Sequence, residues 1–157
     1  MDERARRLIE RLGLAPHPEG GYYREVYRST ATVRPDDDRP HRTAATTIYY
    51  MLIDGQQSRW HRVRSDEIWH FYGGDPLDLF VMPPTLDRVE PVVLEPAHPV
   101  HVVPREWWQA ARPTGAYGLA GCTVAPGFEF EDFYFLGDDV AAAGIFRQRH
   151  PELASLI

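Results

Sequence analysis

Residues 58–74 read SRWHRVRSDEIWHFYGG, two β-type runs divided by a short polar turn. Side chains on an extended chain alternate faces, so Glu67, Trp69 and Phe71 share one side of the second run. Ile68, His70 and Tyr72 share the other, and His61 and Val63 share a side of the first run. A turn over Arg64–Asp66 predicts a hairpin that brings His61 to Glu67 inside an apolar barrel. An imidazole beside a carboxylate there suits proton transfer or metal ligation, because burial displaces both pKa values. The same two residues also suit a buried pair with a purely structural role.

Outward from this stretch, the pattern stays β. TAATTIYYMLI (43–53), LDLFVMPP (77–84), VEPVVLE (89–95), HPVHVVP (98–104), WWQAARP (107–113), AYGLAGCTVAP (116–126) and FEFEDFYFL (128–136) are short runs punctuated by Gly, Pro and Asp. That spacing predicts an antiparallel sandwich or barrel. Before it, Asp2 to Leu14 reads as an amphipathic helix with Ala5, Leu8, Ile9 and Leu12 on one stripe, Asp2 as cap and Gly13 as stop. The turn PHPEGG feeds a strand in which Tyr23, Glu25 and Tyr27 alternate with Tyr22, Arg24 and Val26. RPDDDRPHR (34–42) reads as a solvated, mobile loop. After Gly137 a helical segment is capped by Asp138 or Asp139, and Pro151 starts a last turn carrying Leu153, Leu156 and Ile157.

The chain has 157 residues, which predicts a single domain spanning 1–157. Its 17 basic residues, all arginine, face 23 acidic ones, for a net charge of −6. This balance argues against nucleic-acid binding, which needs a basic footprint. The absence of lysine excludes Schiff-base and P-loop lysine chemistry. No run has the length of a membrane span, the N-terminus lacks the apolar core of a signal peptide, and the single Cys122 reads as an inert buried thiol. A cytoplasmic location is the expectation, with neither membrane nor nucleic acid as a partner.

The spacing of Gly55, His61, Val63, Glu67 and Gly74 resembles the first motif of the cupin superfamily: Gly, five residues, His-x-His, three or four residues, Glu, six residues, Gly. Val63 stands where the second histidine belongs. In the second motif's Pro-x-Gly and following His, Pro104, Glu106 and Gln109 occupy the marked places, so only the proline is kept. The blocks LGLAPHPEGGYYREVYRS, TTIYYML, SRWHRVRSDEIWHFYGG, VVPREWWQAA and CTVAPGFEFEDF resemble the successive blocks of the cupin_5 family. The resemblance implies an all-β, cupin-like jelly-roll barrel with a short N-terminal helix and C-terminal helical segments. It implies a homodimer and no established reaction.

The resemblance also bears on metal. A typical metal cupin uses three His and one Glu, and by position this chain offers His61, Val63, Glu67 and Gln109. No cofactor is therefore expected; a metal, if held, would take His61, Glu67 and Gln109. The jelly-roll sugar-nucleotide epimerases suggest a cofactor-free alternative, a histidine base with a tyrosine acid. Here His61 is the expected base, Glu67 its orienter, and a tyrosine of the Tyr22/Tyr23 or Tyr49/Tyr50 pairs the acid. Ser58, Trp69, Gln109, Tyr23 and Arg24 are the expected ligand-binding residues, and Glu19 is a further candidate at the barrel mouth. Trp107 and Trp108 are candidates for a pocket wall, and Phe128 and Phe130 for the core. The expected function is small-molecule binding, either as an isomerase or epimerase on a polar metabolite such as a sugar derivative, or as a non-catalytic sensor, or as a weakly metal-dependent enzyme. His70, Tyr72 and the outer side of TTIYYML are the expected dimer surface, because an unpaired strand edge must be covered.

Overall fold

The computed structural model describes all 157 residues. Helix α1 spans Glu3–Leu12. The Asp2 carboxylate accepts from the backbone N–H groups of Arg4 and Ala5, a cap that contributes about 1 kcal/mol. Gly13 ends the helix in the left-handed conformation, at φ 63°. The apolar stripe of α1 packs with Leu14 on Met51 and Ile53 of the sheet below it.

Two antiparallel sheets form the body. The first orders β1 (Ala15–Pro16), β2 (Tyr22–Arg28), β5 (Thr46–Ile53), β12 (Tyr117–Ala125), β7 (Asp66–Gly74) and β10 (Val100–Val103). The second orders β13 (Phe133–Phe135), β6 (Ser58–Val63), β11 (Trp108–Pro113), β8 (Leu77–Met82) and β9 (Glu90–Leu94). A small pair, β3 (Thr32–Val33) and β4 (Arg42–Thr43), lies apart. This is a jelly-roll sandwich, as expected from the strand spacing and the resemblance.

Period-two alternation sorts the side chains. On β5, Tyr50 and Leu52 enter the inter-sheet core with Trp69, Leu77, Leu79 and Leu94, while Met51 and Ile53 point back to α1. On the far face of the second sheet, Trp60, Met82 and Trp108 pack under α2 (Val140–Arg149) through Phe146 and under the last turn through Leu156. Asp139 caps α2 by accepting from Ala142 N–H at 3.0 Å.

Several expectations are corrected. β6 and β7 are not a hairpin: β6 pairs with β11 and β13, β7 with β12 and β10. The turn at residues 64–65 is an arch between the two sheets. His61 and Glu67 still converge, because both project into the space the sheets enclose. The 43–53 segment is not an edge, since β5 lies between β2 and β12.

The 34–42 segment is solvated at Arg34, Asp36, Asp38, Pro40 and His41, as expected, but two buried arginines tie it down. Arg42 grips Asp132 in bidentate fashion at 2.9 and 3.0 Å, and Arg39 donates to Asp132 at 3.3 Å and to Ser65 at 2.9 Å. All four side chains are buried. Phe128 and Phe130 leave the core because β12 ends at Ala125 and the chain then turns through Phe130–Asp132, which leaves Phe130 52% exposed.

Candidate active site

A cavity of about 340 Å³ opens between the sheets, within the size range of small-molecule sites. Glu19, Tyr50, His61, Glu67 and Cys122 form its polar end, and Tyr23, Phe128, Phe130 and Phe133 form its aromatic end.

Glu19 is placed by an unusual turn. Gly20 sits at φ 115°, and a Cβ there would collide with the carbonyl oxygen of Gln57. The turn is pinned to the second sheet by Arg59 N–H donating to the Glu19 carbonyl at 3.0 Å, and to β5 by the Tyr50 hydroxyl donating to the Gly20 carbonyl at 2.8 Å. The Glu19 carboxylate therefore points inward. Its Oε1 accepts from the Ser58 hydroxyl at 2.8 Å, and its Oε2 lies 3.2 Å from His61 Nε2.

The protonation of His61 follows from its partners. Nδ1 lies 2.7 Å from the Arg59 carbonyl oxygen, which only accepts, so Nδ1 carries a hydrogen. In a neutral ring Nε2 is then bare. A bare nitrogen cannot face an ionised carboxylate at 3.2 Å without a proton between them. Burial pushes Glu19 up and His61 down, which places that proton on Glu19, donated toward Nε2. Phe133 stacks on the His61 ring at 5.1 Å and holds its plane.

Glu67 is fixed by a second chain. Trp69 Nε1–H donates to Gln109 Oε1 at 2.7 Å, which turns the Gln109 amide so that its nitrogen donates to Glu67 Oε2 at 2.6 Å. Burial pushes Glu67 up to about 7, while the Gln109 amide that donates to it pulls the other way. The Cys122 thiol is pushed well above its ordinary value by burial and by the neighbouring Glu67 carboxylate, so it stays protonated.

His17, which precedes this machinery in the chain, is held in the opposite tautomer. Its Nδ1 accepts from Glu19 N–H at 3.1 Å, so Nε2 carries the hydrogen. The His17 ring meets Tyr23 edge-on at 4.5 Å and lines the cavity.

The structure thus brings His61, Glu67 and Tyr23 of the expected site together in one cavity. Ser58, Trp69 and Gln109 stand behind the wall: fully buried, they hold Glu19 and Glu67 and are not part of the cavity lining. Arg24 lies outside, on the opposite side of β2 from Tyr23, with its guanidinium 5.7 Å from the Tyr49 ring centre. Of the tyrosine pairs, Tyr23 and Tyr50 reach the cavity, while Tyr22 and Tyr49 pack toward α1. Trp108 belongs to the layer under α2 and Trp107 to the rim of the inter-sheet core, so neither is a cavity wall. The carboxylate in contact with His61 is Glu19, and His17 beside it carries no expected role.

The three-histidine, one-glutamate centre does not fit these residues. Val63 offers no donor atom, and the Gln109 oxygen is turned away to Trp69. No group of three or more His, Cys, Asp or Glu is arranged to hold a metal ion. The backbone of the second motif is nonetheless kept: Glu106, at the glycine place, adopts φ 68° and donates its N–H to the Val63 carbonyl at 2.9 Å.

No curated protein matches the chain in sequence. Among solved structures, a hypothetical protein from Leishmania major is 30% identical, with a TM-score of 0.81 over 98% of this chain and 96% of that one. A protein from Shewanella oneidensis is also 30% identical, with a TM-score of 0.84 over 97% and 95%. Oxalate decarboxylase from Bacillus subtilis shares the fold at 12% identity, with a TM-score of 0.60 over 90% of this chain and 36% of that one. Residues 6–136 match the family described as Cupin_5, cupin superfamily (DUF985), and the chain belongs to that family.

Proposed function

We propose that the protein is a small-molecule enzyme that moves a proton within a polar metabolite, in the manner of an isomerase or epimerase. One observation carries this reading: His61 and Glu19 hold a proton between them at 3.2 Å, at the end of a cavity also lined by Glu67. Glu67, at about 7, is poised to accept a proton near neutrality. Two acid–base groups with separately tuned pKa values, facing one ligand, are what a proton abstraction followed by return requires. In this reading ionised Glu67 takes a proton from a ligand carbon. The Glu19–His61 unit gives its proton to the oxygen where charge develops, and the reverse transfers reset both groups. Tyr23, which lines the same cavity, assists in this reading.

Isomer-resolving chromatography coupled to mass spectrometry of a metabolite extract, before and after incubation, tests this. Wild-type protein is expected to change the abundance of an isomer pair, and His61→Ala to leave it unchanged. A ligand that is retained yet never altered would instead assign the chain to the sensor class.

We also propose that the whole chain works as one domain in a reducing cytoplasm and pairs as a homodimer. The dimer reading rests on edge strand β10, which exposes Val100 and Val102, and on the exposed Tyr72 of its neighbour β7. Light scattering giving one chain mass at every concentration would refute the pairing.

A further inference from the structure

We infer that the ligand of this cavity is an organic cation, a small molecule carrying an amine and no acid group. The inference rests on the reading of the cavity as a ligand site and names what that site selects.

The charge inventory is one-sided. Four carboxyl groups line the cavity, those of Glu19, Glu25, Glu67 and Glu129, against the single guanidinium of Arg28. That guanidinium is already committed. Its Nε and one terminal nitrogen donate to the two oxygens of Glu25, both at 2.9 Å, and its other terminal nitrogen donates to Glu129 at 2.8 Å. A fourth contact, to the Phe128 carbonyl at 3.1 Å, leaves one of its five N–H groups without a protein partner. An incoming carboxylate or phosphate would find no unpaired cation and would meet Glu67, which ionises near neutrality, in a space walled by low-dielectric rings. Such walls focus the field of that carboxylate onto whatever enters.

The aromatic end favours the same ligand class. Tyr23, Phe128, Phe130 and Phe133 surround the approach, and ring faces attract ammonium groups while offering nothing to anions. Phe128 meets Phe130 edge-on at 5.0 Å and Phe133 at 6.2 Å, so the rings are angled to one another as walls and not stacked into a plug.

A second, independent feature points to an occupant. His17 has a side chain only 6% exposed, and its Nε2–H makes no hydrogen bond to the protein while the residue lines the cavity. A ligand oxygen within reach of His17 would take that hydrogen in place of water, beside the amine that Glu67 receives. An ammonium arriving at a protonated Glu67 displaces that proton to solvent and leaves an ammonium–carboxylate pair, so charge and atoms balance.

Three probes of one shape and different charge test the assignment: benzylamine, benzyl alcohol and benzoate. The indole N–H signal of Trp69, assigned by its loss in Trp69→Phe, reports on Glu67 through Gln109. Titration of the full chain at pH 7.5 is expected to shift this signal with benzylamine at an affinity at least tenfold tighter than with benzoate, with benzyl alcohol between them. Glu67→Gln is expected to abolish that preference. Benzoate binding as tightly as benzylamine, or silence from all three, overturns the inference. The proton-transfer reading fails separately: an acid that binds and is turned over in a His61-dependent way would discard the cation and keep the enzyme.

Discussion

His61 Nε2 lies 3.2 Å from Glu19 Oε2, while the opposite nitrogen of the same ring is bound at 2.7 Å to the Arg59 carbonyl. The second contact decides the meaning of the first. Since a carbonyl fixes the hydrogen on Nδ1, the contact between Nε2 and Glu19 must itself contain a proton. Removing either partner removes the proton store. His61→Ala and Glu19→Gln are each expected to lower turnover by roughly 10²–10⁴-fold, the usual worth of general acid–base catalysis. Steady-state rates on the isomer pair found by mass spectrometry check this; rates within threefold of wild type would remove the pair from the chemistry.

Glu67 links the site to stability. Its pKa rises from 4.5 unfolded to about 7 folded. Between these values the native state keeps a proton that the unfolded state has lost. This contribution is therefore unpenalised below about 4.5, weakens stability as pH rises to about 7, and is constant above. The full penalty is about 3 kcal/mol. His61 and His17, both lowered by burial, act oppositely and weaken the fold as pH falls below 6.5. Comparing wild type with Glu67→Gln isolates the glutamate. Urea unfolding should show the variant gaining stability over wild type between pH 5 and pH 7.5, and parallel profiles would refute the shift.

The sequence pattern reveals the strands more clearly than their partners. Alternation places Glu67 and Trp69 on one face and Tyr72 on the other, and the structure keeps that division, with Trp69 buried and Tyr72 exposed. It says nothing about which strand lies alongside. Hence a turn at residues 64–65 reads as a hairpin when it is an arch between sheets. Parity also cannot tell a wall from what stands behind it. Gln109 and Ser58 do point inward, yet each is spent on a carboxylate. Arg24 alternates with Tyr23 along β2, so only one of the two can face the cavity, and that one is Tyr23. The signal for His17 and Glu19 was the pair of glycines that follows them, since a turn needing Gly20 at φ 115° presses its neighbours against another strand.

The same blindness to distant partners hid the Asp132 network. Asp132 bridges Arg42 and Arg39, and all three side chains are buried. Asp132→Ala leaves Arg39 to Asp37 and Arg42 to Glu131 alone, and removes the acceptor that the two guanidinium groups share. Losing a hydrogen bond to a charged group costs about 1.5–3 kcal/mol. Thermal unfolding is expected to show a lowered Tm and, because Phe130 and Phe133 flank Asp132, weakened ligand binding at temperatures where the variant is still folded. A Tm unchanged from wild type would contradict the account.

Gln109 transmits order from Trp69 to Glu67. Gln109→Leu keeps the volume but leaves the Trp69 indole N–H and the Glu67 carboxyl without their shared partner. Stranded buried polar groups cost about 1–3 kcal/mol each. Chemical denaturation should report a loss in that range. Without its amide donor, the ionised form of Glu67 loses support, so the pH at which Glu67 titrates should move further up. A titration midpoint that stays in place would show that the amide does not hold the carboxylate.

The proton between Glu19 and His61 can be located directly by ¹⁵N NMR of the imidazole in the ligand-free protein at pH 7. The structure predicts a neutral His61 with a protonated Nδ1 and a bare, hydrogen-bond-accepting Nε2, whose signal moves in Glu19→Gln. A hydrogen bonded covalently to Nε2, as the other tautomer or as an imidazolium, or an Nε2 signal indifferent to the loss of Glu19, would contradict it.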